Sequence, residues 1–247
     1  MPAQKTLLIL GGTSDIARAT AIHYAQAGWR IILAARNTEA TSRNANDIST
    51  RTGNNVEVIR LDILQTGEFH KIVEGLASLP DTVVCLVGEL GDQLRAQTDS
   101  NYASIVMRTN FEGPALILGI LAEKFLLRGS GTIVGVSSVA GDRGRGSNYI
   151  YGSAKAGFTA FLSGLRNRLA SHGLRVVTVK PGFVRTRMTS HLQLPARLTA
   201  EPDEVGRAIY SAGEVTHRDV VYVRPIWRMI MAAICAIPER FFKATKL

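Results

Sequence analysis

Seven short apolar runs recur along this chain, each followed by a segment long enough for a helix, and that alternation limits the fold more than any other feature. The runs are Thr6–Leu10, Arg30–Ala35, Val56–Arg60, Thr82–Val87, Thr132–Ser137, Arg175–Lys180 and Asp219–Val223. Helices are expected near 14–27, 40–51, 66–78, 101–128, 148–171 and 201–213. Runs apolar at both odd and even positions are what strands covered on both faces require. Strands alternating with helices assemble by right-handed crossovers into a parallel sheet. The expected fold is therefore α/β: a Rossmann-like, doubly wound parallel sheet of about seven strands with helices on both faces.

The chain has 247 residues, which suits one such domain over 1–225 followed by a C-terminal tail helix over 226–247. In doubly wound sheets ligands sit beyond the carboxyl ends of the strands, at the switch point. The residues expected there are Gly11-Gly12, Arg36, Asp62, Gly88, Ser138 and Pro181-Gly182.

The first of these ends opens the stretch GGTSDIA, residues 11 to 17. A pyrophosphate could rest on the following helix N-terminus, held by free N–H groups and the helix dipole. Gly11, Thr13, Ser14, Asp15 and Ile16 are the candidate contacts, with Thr13 or Ser14 capping the helix. An Asp-containing strand-to-helix turn with no ligand would read the same way, and Asp15 places a negative charge where an anion should bind. Arg36 closes the second strand where an acid would grip a ribose 2′-hydroxyl; an arginine there favours a 2′-phosphate. A solvated loop charge is the alternative for Arg36.

Tyr151 and Lys155 stand four residues apart in YGSAKAG, so a helix puts them on one face. A tyrosine hydroxyl titrates near 10, and a cation about 4 Å away would draw it down toward a working acid or base. Ser138, at the end of the fifth strand, could hydrogen-bond a substrate oxygen. A lone Tyr/Lys pair on a helix is also compatible with surface packing.

Taken together, these residues resemble the short-chain dehydrogenase/reductase family over nearly the whole chain. Ser138, then Tyr151 thirteen positions on, then Lys155, match its reacting group. RTNFEG (108–113) resembles the segment that carries its structural and catalytic asparagine, here Asn110. LDI (61–63) is similar to the segment whose acid, Asp62, faces the adenine. KPGFVRT (180–186) resembles the loop that holds the nicotinamide amide, through Pro181, Gly182, Val184 and Thr186. Two departures stand out: Asp15 replaces the second glycine of the phosphate turn, and CLVG (85–88) replaces a segment rich in asparagine, so that only Gly88 carries over. The resemblance implies an oxidoreductase that moves a hydride between a nicotinamide cofactor and a carbonyl or secondary alcohol. Tyr151 would protonate the oxygen, Lys155 would hold the ribose, and Asn110 would anchor a water in the proton relay. With Arg36, NADP(H) is the expected cofactor, NAD(H) the alternative. Pairing into a homo-oligomer through segments 101–128 and 148–171 is also implied.

For the substrate, four arginines crowd the loops near the expected site: Arg143, Arg145, Arg185 and Arg187. Arg143, Arg145 and Arg187 are taken as candidate contacts to an anionic group. The segment MTSHLQLPARL (188–198) reads as a lid, with His191 as an ordinary loop histidine. The tail (224–247) is apolar from Ile226 to Ile237 except for Arg228, too short to span a bilayer, and basic enough to suit an anionic membrane surface. Packing against its own or a partner subunit is the competing reading. GELGD (88–92), SSVAGDRGRGSNYIYGSAKAG (137–157), PGFVRTRM (181–188) and IPERFFK (237–243) resemble one branch of the family, the keto-reductase subunit of decaprenylphosphoryl-ribose 2′-epimerase, which implies a lipid-phosphate-linked keto-sugar. A soluble ketone or 3-oxoacyl substrate, and a nucleotide-binding scaffold without turnover, remain alternatives. The net charge of +9 is spread along the chain without an RNA-binding aromatic motif, so nucleic acid is not expected as a partner. Two cysteines without ligand or framework spacing point to a reduced, cytoplasmic setting and to no metal.

Overall fold

The computed structural model describes residues 4–190 and 192–245; His191 lies outside the described residues. The first half of the sheet is built from β1 (Thr6–Leu10), α1 (Asp15–Gln26), β2 (Arg30–Ala35), α2 (Thr38–Thr52) and β3 (Val56–Arg60). Next come α3 (Phe69–Glu74), β4 (Thr82–Cys85), α4 (Gln93–Thr98), α5 (Ser100–Met107), α6 (Gly113–Arg128) and β5 (Thr132–Val136). They are followed by α7 (Tyr149–Leu169), β6 (Arg175–Lys180), the two-residue strands β7 (Phe183–Val184) and β8 (Thr199–Ala200), α8 (Pro202–Tyr210) and β9 (Val220–Tyr222). Helices α9 (Ile226–Ala236) and α10 (Glu239–Phe242) are the last elements described.

Seven strands form one parallel sheet in the order β3-β2-β1-β4-β5-β6-β9. Chain direction across the sheet reverses between β1 and β4, which makes that gap the switch point. Alternation along the strands explains why both registers are apolar. Leu7, Ile9, Ile31 and Leu33 point to one face, where they pack with residues of α1 and α8. Leu8, Leu10, Ile32 and Cys85 point to the other, against α6 and α7. Each such side chain, fully buried, contributes about 1.5–3 kcal/mol.

Several segments depart from expectation. β4 stops at Cys85, freeing Val87 and Gly88 to leave the sheet toward the switch point. The single helix expected over 101–128 is α5 and α6 joined by a π-helical turn at Arg108–Glu112. The combined run Ser100–Arg128 is long and apolar enough to cross a membrane, yet Ile117, Leu118, Leu121 and Phe125 are buried in the core beneath the sheet. α4 is a short polar helix that no apolar periodicity announced. The tail is interrupted at Ile237-Pro238 rather than continuous, because proline cannot extend α9. Its Trp227 and Met231 are buried with Val139 in a small third core.

Candidate active site

A cavity of about 850 Å³ opens at the carboxyl ends of β1, β4, β5 and β6. One end is the β1–α1 turn. Gly11 has φ +94°, and a Cβ there would stand 2.9 Å from the Leu86 carbonyl carbon, so glycine alone lets β1 and β4 diverge around the turn. Ser14 caps α1 by accepting from the Ala17 N–H at 3.0 Å. The N–H groups of Asp15 and Ile16 have no acceptor among the described residues, and both residues line the cavity with Thr13 and Ser14. Free N–H groups at a helix start suit a phosphate. The Asp15 carboxylate is occupied: it accepts from the Arg187 backbone N–H at 2.9 Å and from Arg187 Nε at 3.0 Å. Arg187 also donates to the Thr13 carbonyl at 2.5 Å. The carboxylate that sequence placed in the phosphate site is thus held by an exposed guanidinium from across the cavity mouth, without engaging the two free N–H groups, and the turn fits a dinucleotide.

The candidate reacting group sits midway. Ser138, Tyr151, Lys155 and Gly88 line the same cavity, as do Pro181, Gly182, Val184 and Thr186 on its far wall. Ser138 stands two residues beyond β5, and its hydroxyl accepts from the Ala140 N–H at 3.1 Å beside the Tyr151 phenol. Burial pushes the Tyr151 phenol up from its ordinary value, and the Ser138 hydroxyl opposes that rise. Burial pushes the Lys155 ammonium down to about 8. The expectation that Lys155 draws Tyr151 downward is corrected by this geometry. Lys155 Nζ lies 5.8 Å from the Tyr151 ring centre and donates to the carbonyls of Val136 at 3.3 Å and Val87 at 3.5 Å. Gly88 explains how a lysine fits here: a Cβ at that position would stand 3.2 Å from Nζ and 3.0 Å from Asn110 Oδ1.

Asn110 is fully buried in the π-helical turn, behind the cavity rather than on its wall. Its Nδ2 donates to Glu89 O at 2.7 Å and Val106 O at 2.8 Å, while Oδ1 accepts from the Glu89 N–H at 3.2 Å. It therefore braces the Gly88–Glu89 segment. Arg36 and Asp62 stand at the ends of β2 and β3, outside this cavity; Asp62 accepts from the Leu64 N–H at 3.1 Å.

The structure sorts the arginines. Arg143 is not on the cavity wall: it bonds Glu239 at 2.6 Å and the Cys235 carbonyl at 3.3 Å, with its guanidinium over Phe242, so it anchors the tail. Arg185 pairs with Glu201 at 2.8 Å and Arg187 with Asp15. Arg145 alone of the four lines the cavity with no carboxylate partner among the described residues.

Sequence reasoning missed the support behind this wall. Asp142 and Lys180 form a nearly buried ion pair at 2.5 Å, and Tyr222 donates to the same carboxylate at 2.9 Å. This joins the loop after Ser138 to the strand end before Pro181. Trp227 packs so closely on Gly182 that any Cβ there would overlap its indole, and it donates to Leu198 O at 3.1 Å. Its ring stands edge-on to Phe183, 5.2 Å between centroids. The tail thus props the far wall. Gln93 and Asn148 also line the cavity; Gln93 lies outside every motif, and Asn148 lies within the 137–157 stretch.

Comparison with known proteins points one way. Residues 5–196 match the family model described as short chain dehydrogenase. An uncharacterized oxidoreductase of Streptomyces coelicolor is 37% identical over 244 residues, covering 97% of this chain and 95% of the relative. Carbonyl reductase family member 4 of Danio rerio is 32% identical over 82% of this chain and 88% of its own. A short chain dehydrogenase from Burkholderia cenocepacia, solved in complex with NADP, superposes with a TM-score of 0.82 over 99% of this chain and 98% of its own, at 21% identity.

Proposed function

This chain belongs to the short-chain dehydrogenase family of NAD(P)-dependent oxidoreductases, and from that premise we propose that its cavity reduces a carbonyl compound with NADP(H) as the cofactor. The observation that carries the reading is the convergence of Ser138, Tyr151 and Lys155 on one cavity whose other end offers two free helix N–H groups. Thr13, Ser14, Asp15 and Ile16 would hold the pyrophosphate, Arg36 a 2′-phosphate, Asp62 the adenine, and Pro181, Gly182, Val184 and Thr186 the nicotinamide. When bound, the cofactor would supply a hydride for the carbonyl carbon. Tyr151, kept protonated by burial, is placed to give its proton to the carbonyl oxygen. Ser138 holds the phenol and can hold that oxygen. Lys155, with its ammonium pushed down to about 8 by burial, can bind a ribose hydroxyl and resupply the proton. Asn110 fixes the turn on which Gly88 makes room for both. The test is reduced-cofactor fluorescence on NADPH and NADH titration, with Arg36→Ala alongside. Micromolar NADPH affinity that falls in the variant supports the reading; indifference of the NADPH/NADH ratio to Arg36 removes the 2′-phosphate assignment.

Finer readings belong to the same proposal. Ile105, Met107 and Phe111 stay exposed along α5 and the turn after it, with the Phe111 ring lying against α7 at Gly157, which supports pairing of two copies there. Ile226, Met229 and Phe241 stay exposed on the tail next to the exposed cations Arg228, Arg240 and Lys243, which supports an anionic membrane surface and a lipid-phosphate-linked keto-sugar as substrate. Sedimentation with anionic vesicles, lost on Met229→Glu, tests that placement.

A further inference from the structure

Ser138 is followed by one short helical turn, Val139–Gly141, and then by Asp142. Every polar atom of Asp142 is engaged. Its N–H donates to the Val139 carbonyl at 3.1 Å, and its carbonyl accepts from Cys235 Sγ of α9 at 3.3 Å. One carboxylate oxygen accepts from Nζ of Lys180, the last residue of β6, at 2.5 Å. The other accepts from the hydroxyl of Tyr222, the last residue of β9, at 2.9 Å. The Asp142 and Lys180 side chains are each only 9% exposed. Three elements distant in sequence therefore meet on one residue.

The turn between Ser138 and Asp142 has no slack on its other side. A Cβ at Gly141 would stand 2.7 Å from the Ala156 nitrogen, and one at Gly152 would stand 2.9 Å from the Ala140 carbonyl oxygen. The turn thus lies directly on α7, at the positions just after Tyr151 and Lys155. Within it the Ser138 hydroxyl accepts from the Ala140 N–H, so the serine moves with the turn. Lys180 also precedes Pro181 and Gly182, and the Val139 N–H donates to the Pro181 carbonyl at 3.1 Å. The same ties join the serine turn to the wall assigned to the nicotinamide.

A buried ion pair is a poor source of stability, because removing two charges from water costs about what their attraction returns. What it supplies is direction: charged hydrogen bonds on both oxygens leave a carboxylate one orientation. Direction matters most beside reacting atoms, where a misplacement of about 1 Å can cost about 10²-fold in rate. We propose that Asp142, held by Lys180 and Tyr222, is a positioning residue that fixes the Ser138 hydroxyl against the Tyr151 phenol and the nicotinamide wall. It acts through the turn, since neither Asp142 nor Lys180 lines the cavity. This rests on the reductase reading of the cavity.

The test uses the full chain saturated with NADPH and follows the Cζ carbon NMR signals of its tyrosines, with Tyr151 identified by its loss in Tyr151→Phe. Ser138→Ala defines where the Tyr151 signal goes when the serine is absent. The informative variant is Asp142→Asn/Lys180→Met. Either change alone strands a buried charge and should lower the urea unfolding midpoint; together they strand none, and the midpoint should return toward that of the parent. The Tyr151 signal should not return with it, but stand displaced toward its Ser138→Ala position. Tyr222→Phe frees one carboxylate oxygen and keeps both charges, so it should displace the signal the same way by less; it decides the matter if the double variant does not fold. Arg175→Met is the control for loosening alone, because Arg175 holds the carbonyls of Ala212, Gly213 and Thr216 at the opposite end of β6. It should lower the midpoint and leave Tyr151 in place. A folded double variant with the parent's Tyr151 signal overturns the positioning role and leaves the pair a structural tie. A displacement that Arg175→Met reproduces, or a Ser138→Ala variant that leaves Tyr151 unmoved, overturns it too. Failure of the parent to bind NADPH in a fluorescence titration overturns the reductase reading instead, and the same comparison in the free chain still decides whether Asp142 places Ser138.

Discussion

At the cofactor end of the cavity nearly every polar side chain is committed to another part of the protein. Ser14 caps Ala17, Asn44 holds the Gly12 carbonyl at 2.9 Å, and Asp15 is taken by Arg187. What is left for a ligand there is backbone, the N–H groups of Asp15 and Ile16. At the substrate end the backbone is tied and the side chains are free: Gln93, Arg145 and Asn148 each bury an unpaired atom. Backbone groups are what stand unpaired at one end, and side-chain groups at the other. Main-chain recognition needs only a strand, a glycine and a helix start, so it leaves the same mark in any sequence. Side-chain recognition is free to use any residue that reaches, and so leaves no pattern.

The largest effect should come at the boundary between the two ends. Tyr151→Phe removes the proton donor and keeps the ring, so carbonyl reduction should fall about 10²- to 10⁴-fold while NADPH affinity holds. Loss of both together would show that the two ends are not separable. Single-turnover kinetics beside a fluorescence titration distinguishes these outcomes.

Next in size is the prop behind the substrate end. Trp227 is 5% exposed and rests on Gly182, Phe183 and the Leu198 carbonyl. Trp227→Ala should cost about 3–5 kcal/mol by denaturant unfolding. Because Gly182 belongs to the wall assigned to the nicotinamide, the functional loss should fall on NADPH affinity and on KM for the ketone, and less on a nicotinamide-free fragment such as 2′-phospho-ADP-ribose, since no tail residue lines the phosphate turn. An equal loss on NADPH and on that fragment would make the tail a support of the whole cavity.

These two regions also show what sequence could and could not say. β1 was legible because Thr6–Leu10 is apolar in both registers, and Gly11 because a strand cannot pass into a helix around Leu86 without it. Ser138, Tyr151 and Lys155 were singled out through the family resemblance that their spacing carries, and the fold brings them to one cavity. The pairing of Asp15 with Arg187 was not, because it joins residues 172 apart in sequence through a loop with no periodicity. Arg143 read as a substrate contact for the same reason: its partner Glu239 lies beyond a proline that only the fold brings back. Gln93 was invisible because α4 is short and polar, with a single buried side chain, Ala96.

Lys155 tests how dry the boundary is. Its ammonium is pushed from 10.5 to about 8 in the fold, so below pH 8 the folded state bears the full cost of a buried charge, about 3 kcal/mol. Between pH 8 and 10.5 the unfolded chain holds a proton that the folded one has lost, and stability gains as pH rises. Lys155→Met should therefore be more stable than the parent at pH 7, with the gap closing toward pH 10.5. A gap that does not change with pH would mean that water reaches Nζ and that the two ends are continuous solvent.

The smallest effect bears most directly on the contrast between the ends. Arg187 is an exposed side chain, so its bond to Asp15 is screened, and exposed pairs contribute about 0.2–1 kcal/mol. Its importance lies in position: it joins the segment after the nicotinamide loop to the phosphate turn. Arg187→Ala should weaken NADPH severalfold at most, because it uncovers Asp15 beside the two free N–H groups. Asp15→Gly should strengthen NADPH, because it removes the like charge. The informative quantity is the double variant. If Arg187 acts only by neutralising Asp15, its removal should cost nothing once Asp15 is gone. If Arg187→Ala still weakens NADPH in the Asp15→Gly background, the guanidinium itself contacts the cofactor, and the cofactor end also reads its ligand with a side chain.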